Sequence, residues 1–132
     1  MNWSFREVFT EYPGHAIPLT KKYIQKGFNK ILCVGGDGTN NEVLNGLMQA
    51  QTSDPVDYAL YPSGSGNDFA RHFKIPRDPR KWVDQMGFKV SPLALDVGSV
   101  RFKKNGINEV RYFLNVAGLA FDAQVVESLT SS

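Results

Sequence analysis

The chain has 132 residues, 42% of them hydrophobic and 21% charged; this is globular composition, long enough for one compact domain and too short for two ordinary ones. A disordered tail or a fibre is excluded, and no apolar run approaches the roughly 18–20 residues of a bilayer-spanning helix. Fifteen Lys and Arg against thirteen Asp and Glu leave a net charge of +2, a balance that asks for no nucleic-acid partner. The opening residues, Met1 to Glu7, carry no apolar core, so no cleaved secretory signal is expected. The single cysteine, Cys33, stands between Leu32 and Val34 and reads as a small buried hydrophobe in a reducing, cytoplasmic setting.

In chain order, Trp3 to Thr10 reads as a strand with imperfect alternation. A helix is expected over His15 to Gln25, with Pro18 in its first turn, Tyr23 and Ile24 inward and Gly27 closing it. Lys30 to Val34 is a nearly continuous apolar run, the pattern of a parallel strand covered on both faces. Gly35-Gly36-Asp37-Gly38-Thr39 follows, then a helix with an apolar face of Val43, Leu44, Leu47 and Met48. Thr39 and Glu42 have the spacing of a capping box. Asp57 to Tyr61 is the next strand, ending at Pro62-Ser63-Gly64-Ser65-Gly66-Asn67-Asp68. Short helices are expected over Asp68 to Phe73 and Pro79 to Met86. Leu93 to Phe102 and Val110 to Val116 read as strands joined by Lys104-Asn105-Gly106, and Phe121 to Leu129 as the start of a helix. This order predicts an α/β fold. An open, parallel, Rossmann-like sheet over residues 1–90 leads into the beginning of a β-rich second domain over residues 91–132, with Phe102, Tyr112, Phe113 and Phe121 in its core.

Two glycine-rich turns, each after a strand and before a helix, carry the chemistry. Ligands of open parallel sheets bind beyond the carboxyl ends of the strands. Glycines there let backbone N–H groups approach an anion, and a helix N-terminus adds favourable partial charge. The P-loop is excluded, because Asp37-Gly38 is followed by Thr39-Asn40 rather than Lys-Ser/Thr. The dinucleotide fingerprint fails at Phe69, where a small residue is needed. An aspartate in a phosphate cradle repels its ligand unless a cation intervenes, so Asp37 and Asp68 suggest Mg²⁺ held partly through water. Asp68 reads equally as a cap of its own helix.

Val34-Gly35-Gly36-Asp37-Gly38-Thr39-Asn40-Asn41-Glu42-Val43 and Tyr61-Pro62-Ser63-Gly64-Ser65-Gly66-Asn67-Asp68-Phe69-Ala70-Arg71 resemble the two signatures of the diacylglycerol kinase catalytic domain, in the bacterial branch related to sphingosine and ceramide kinases. Thr10-Glu11 with Gly14-His15-Ala16, Leu95-Asp96-Val97-Gly98, and Phe113 to Ala123 resemble further family segments in the right order. NAD kinases share the Gly-Gly-Asp-Gly-Thr turn, but the run from Gly64 to Arg71 favours the lipid kinases.

The resemblance implies transfer of the γ-phosphoryl group of ATP to a lipid hydroxyl, with diacylglycerol as one candidate acceptor. By position it implies that Gly35, Gly36, Asp37, Gly38, Thr39, Asn41 and Glu42 surround the phosphates. Thr10, Gly64, Ser65 and Gly66 would add nucleotide contacts. Asp37, Asp68 and Asp96 would form an aspartate–water–Mg²⁺ network, and Asp37 is also a candidate base. The family's first strand with its Asn-Pro-x-Ser-Gly loop is expected before Trp3, and its Gly-Asp-x-Glu segment beyond Ser132. The chain is therefore expected to be a fragment carrying the ATP side of the site and inactive alone, with a non-catalytic nucleotide-binding domain as the alternative. Glu42 could instead complete the capping box, and Asn41 could be an exposed first-turn residue. Asp96 could simply end a strand. His15 reads as a helix-start residue and His72 as solvated. Arg71, Lys74, Arg77, Arg80 and Lys81 form a basic segment that could meet nucleotide phosphate, an anionic membrane at the inner face of the cell, or water. A severed sheet edge could pair two copies of the chain.

Overall fold

A computed structural model of the chain describes residues 4–86 and 91–114 and divides into two compact units, Met1–Leu93 and Ala94–Ser132. The first unit holds α1 (Ala16–Gln25), β1 (Lys30–Gly35), α2 (Asp37–Gln49), β2 (Asp57–Pro62), α3 (Asp68–His72) and α4 (Pro79–Met86). The second holds a hairpin, β3 (Gly98–Lys104) and β4 (Ile107–Phe113).

The strands β1 and β2 are parallel and in register from Lys30 opposite Asp57 to Gly35 opposite Pro62. They therefore end side by side, and the two glycine turns emerge from neighbouring strand termini. Period-two alternation puts Cys33, Gly35, Leu60 and Pro62 on one buried face. The expected cover on both faces is not found: Leu32 and Val34 on the other face are 53% and 61% exposed. Apolar strand composition alone does not distinguish one covered face from two. Trp82 of α4 meets Tyr61 edge-on over that second face, and its indole N–H donates to the Leu60 carbonyl at 2.8 Å.

Helix α1 ends as glycine-closed helices do. Gly27, at φ 94°, donates to the Ile24 carbonyl and Phe28 to that of Tyr23, while the Tyr23 and Phe28 rings meet edge to face at 5.5 Å. Its buried residues Ala16, Thr20 and Ile24 recur every fourth position against α2. The crossing is tight because α2 presents Gly46: a Cβ there would lie 2.6 Å from the Thr20 Cβ and 2.7 Å from the Ile17 carbonyl oxygen.

Three further expectations are corrected in this unit. Residues 4–10 are exposed coil, not a strand, and Phe5 is 85% exposed. Helix α2 opens at Asp37 with Gly36 as its N-cap and no side-chain cap, so Thr39 lies inside the helix and the capping box does not form. The buried face of α2 includes Asn40 and Asn45 beside Val43 and Leu44, whereas Met48 is exposed. Both asparagines are satisfied: Asn45 donates to the Asn41 carbonyl at 2.8 Å, and Asn40 accepts from the Tyr58 hydroxyl.

In the second unit, Asn105 (φ 50°) and Gly106 (φ 78°) make the two-residue turn, as two positive φ angles suit a twisted hairpin. The ladder runs from Gly98 opposite Phe113 to Lys104 opposite Ile107, so residues 93–97 are outside it. Phe102 is exposed and Tyr112 and Phe113 are half-buried; the expected Phe102 core position is not found, because a two-stranded hairpin has no second layer of its own to cover the ring. Trp3, Val116, Phe121 and the helix expected over Phe121 to Leu129 lie outside the described residues.

Cys33 and Tyr58 share the buried face of the parallel pair. Burial raises the Cys33 thiol above its ordinary value of 9.0, against a smaller opposing effect of its hydrogen bond with Tyr58. Burial likewise raises the Tyr58 phenol above 10.0, with Cys33 adding to the shift. Both folded values exceed the unfolded ones, so this stabilisation is complete below the unfolded values and lost as pH rises through and beyond them. Urea midpoints should fall above about pH 9, less steeply in Cys33→Ala, and the native thiol should resist Ellman's reagent until the chain is denatured.

Candidate functional site

The two glycine turns touch through their backbones. A Cβ on Gly64 would lie 2.4 Å from the Cα of Gly36, and one on Gly36 would lie 3.0 Å from the Cα of Gly64. Only glycine on both sides permits this approach. The Ser63 amide donates to the Gly35 carbonyl at 3.0 Å, extending the β-pairing into the turns.

Asp37 locks the contact. Its carboxylate oxygens accept from the amides of Asp68 at 2.8 Å and Phe69 at 3.2 Å, the first two residues of α3. A residue of one turn thereby caps the helix that follows the other, the task that a local N-cap ordinarily performs. The N-cap of α3 is Asn67, left-handed at φ 54° and ψ 46°, which makes no cap bond of its own. The Asn67 side chain closes the second turn instead: Oδ1 accepts from the Gly64 amide at 3.0 Å and Nδ2 donates to the Gly64 carbonyl at 2.6 Å. Sequence reasoning did not single out Asn67. The available signal was an asparagine ending a glycine-rich turn, since its side chain tolerates the left-handed region.

Glu42 acts on neither the capping box nor its own helix end. Oε1 accepts from the Gly14 amide at 2.8 Å and Oε2 from the Ala16 amide at 3.2 Å, tying the start of α1 to the first turns of α2. His15 is the α1 N-cap; its Nδ1 accepts from the Glu11 amide at 3.0 Å and its ring stacks on Tyr12 at 4.3 Å.

Thr39 packs on Gly35, where a Cβ would come within 2.7 Å of the Thr39 Cβ. Asn41 accepts from Asn45 through its carbonyl and side-chain oxygens. Gly38, Ser65 and Gly66 are exposed on the turns. Gly66 lies beside Asp37, whose Oδ2 would be 3.3 Å from a Cβ there, whereas nothing stands within 4 Å of a Cβ on Gly38. The first intrahelical bond of α2 runs from the Asn40 amide to the Gly36 carbonyl at 3.0 Å, so the amides of Gly38 and Thr39 precede any helix carbonyl that could accept from them. Thr10 lies in the exposed coil before α1.

Of the aspartates expected to share a metal, the first unit sets Asp37 and Asp68 side by side, the Asp37 carboxylate accepting from the Asp68 amide. Both Asp37 oxygens face α3 amides, Asp68 is ion-paired with Arg71, and Asp96 belongs to the second unit. Among the described residues no three His, Cys, Asp or Glu side chains gather to hold a metal ion.

Residues 1–100 match the diacylglycerol kinase catalytic domain. The chain belongs to that family. The diacylglycerol kinase of Bacillus subtilis (strain 168) is 38% identical over 110 residues, 83% of this chain and 33% of that protein. The "Putative lipid kinase YtlR" of the same organism is 34% identical over 125 residues, 91% of this chain and 38% of that protein. The solved structure of "A putative diacylglycerol kinase from Bacillus anthracis str. Sterne" superposes with a TM-score of 0.54 at 25% identity, covering 90% of this chain and 38% of that one. The chain thus spans between a third and two-fifths of the length of these relatives. Its mixed α/β architecture, with a parallel pair of strands and a separate antiparallel hairpin, has that solved structure as its neighbour. Among the described residues no helix is long and apolar enough to cross a membrane.

Two substitutions probe the lock without any ligand. Asp37→Ala should cost about 1.5 kcal/mol in urea unfolding by leaving two α3 amides uncapped. Gly64→Ala should cost about 2 kcal/mol, because the turns must part.

Proposed function

We propose that this chain carries the nucleotide-binding part of a kinase that transfers the γ-phosphoryl group of ATP to a lipid hydroxyl. Membership of the diacylglycerol kinase family and the names of its relatives support the reaction class. The observation that carries the assignment to this site is Gly38. It sits exposed in the first turn of a 13-residue helix with open space where a side chain would be. Glycine costs about 1 kcal/mol there relative to alanine, and neither its surroundings nor a positive φ calls for it. A ligand that must come against the backbone would account for it.

Bound ATP would supply the phosphoryl group. On this reading Gly36, Gly38 and Thr39 receive its phosphates at the start of α2, where the helix dipole favours anions. Ser65 and Gly66 of the second turn would form the facing wall, and the Gly36–Gly64 contact fixes the distance between the walls. Phosphoryl transfer depends chiefly on positioning and charge neutralisation, and a rigid backbone cradle serves the first. The acceptor lipid would be met at a membrane surface, where exposed Lys74, Arg80 and Lys81 suit anionic headgroups.

Calorimetry of the chain with ATP, with and without added Mg²⁺, tests the reading. Gly38→Ala should leave the chain as stable or slightly more so, yet weaken ATP binding about tenfold or more by placing a methyl group against the phosphates. A chain without ATP affinity, or an alanine variant that binds as well as the parent, would overturn it.

A further inference from the structure

The basic segment after α3 contains one side chain that returns to the glycine turns. Lys74, at φ 54°, ends α3 and reverses the chain, and the Ile75 amide donates to the Ala70 carbonyl at 2.8 Å. The Tyr61 hydroxyl then donates to the Arg77 carbonyl at 2.8 Å, pinning the connector against the end of β2. Directly afterwards Asp78 caps α4, its Oδ1 accepting from the Lys81 amide at 2.9 Å. Arg77 is thus delivered on backbone fixed on both sides, and its guanidinium donates to the Gly64 carbonyl at 3.3 Å.

That bond does not explain why an arginine is there. The Gly64 carbonyl already accepts from Asn67 at 2.6 Å, and one long bond uses a single one of five guanidinium donors. The side chain is exposed. The neighbouring Arg71 is committed to Asp68. Arg77 therefore places a cation at the lip of a cradle whose own turns carry the acidic side chains Asp37 and Asp68. We propose that Arg77 is a phosphate-binding residue of this site, its guanidinium forking onto the nucleotide's phosphate oxygens from the second-turn side. This rests on the nucleotide reading above and adds a residue to it. Arginine suits the task because its planar fork matches two phosphate oxygens at once, which the point charge of lysine does not.

The test is ATP affinity of the full chain by calorimetry across a salt series, paired with thermal melts without nucleotide. Arg77→Gln should bind ATP about tenfold more weakly, with a shallower salt dependence. Arg77→Lys should recover only part of the loss, and both melting temperatures should stay within about 2 °C of the parent. Lys26→Gln, at the C-terminal end of α1, should bind as the parent does. Unchanged ATP affinity in Arg77→Gln overturns the proposal. So does an affinity loss accompanied by a lower melting temperature and an unaltered salt dependence, which marks a structural pin. A parent chain that does not bind ATP overturns the nucleotide reading itself, and that result appears before any substitution is made.

Discussion

Everything in the first unit hangs on one close approach, the backbone of Gly36 against that of Gly64, locked by a carboxylate from one turn on the amides of the next helix. Parallel pairing brings β1 and β2 to an end together, but strand ends alone leave two independent loops. The absence of two Cβ atoms lets the loops meet, and Asp37 makes the meeting rigid by satisfying amides that α3, only five residues long, could not satisfy itself. Asn67 closes the second loop on itself. The cradle is therefore a composite of two turns packed backbone to backbone.

In this arrangement the acidic residue of the Gly-Gly-Asp-Gly-Thr turn has a structural task. An aspartate amid the glycines of a strand-to-helix turn suggests a metal or a base. Here its two oxygens are occupied by the protein's own positive ends, the amides of Asp68 and Phe69. Its negative charge is offset internally, and an anion can be accommodated nearby without the carboxylate facing it bare. The same logic extends to Asp68, whose charge is balanced by Arg71 one turn later.

The elements with strong local chemistry were legible in the sequence. The glycine-closed end of α1, α4 from Pro79 to Met86 and the Asn105-Gly106 hairpin turn each depend on residues adjacent in the chain. What escaped depends on contacts distant in sequence. Glu42 had the right spacing for a local capping box, but Gly14 and Ala16 offered it two amides at once, and helix entry moved back to Asp37. The apolar face read from the sequence leaves out Asn40 and Asn45, because nothing local reveals that Tyr58 and the Asn41 carbonyl would satisfy them in the interior. Trp3 to Thr10 had strand-like composition, yet a strand needs a neighbour, and residues 4–10 find none among the described residues. The two motifs were visible as separate turns, whereas their contact, and the side chains of Asn67 and Arg77 that converge on Gly64, emerged only in three dimensions.

The bidentate grip of Glu42 also links two parts of the chain that would otherwise move independently. Its stem rises from the second turn of α2, just past the cradle, and its head holds the amides on either side of His15, whose ring in turn takes the amide of Glu11. Thr10 is the next residue back. A displacement of the α2 entrance would thus be passed by one short side chain, 28 positions across the sequence, to the coil that precedes α1. Shape at the cradle and the path of that coil are mechanically one variable.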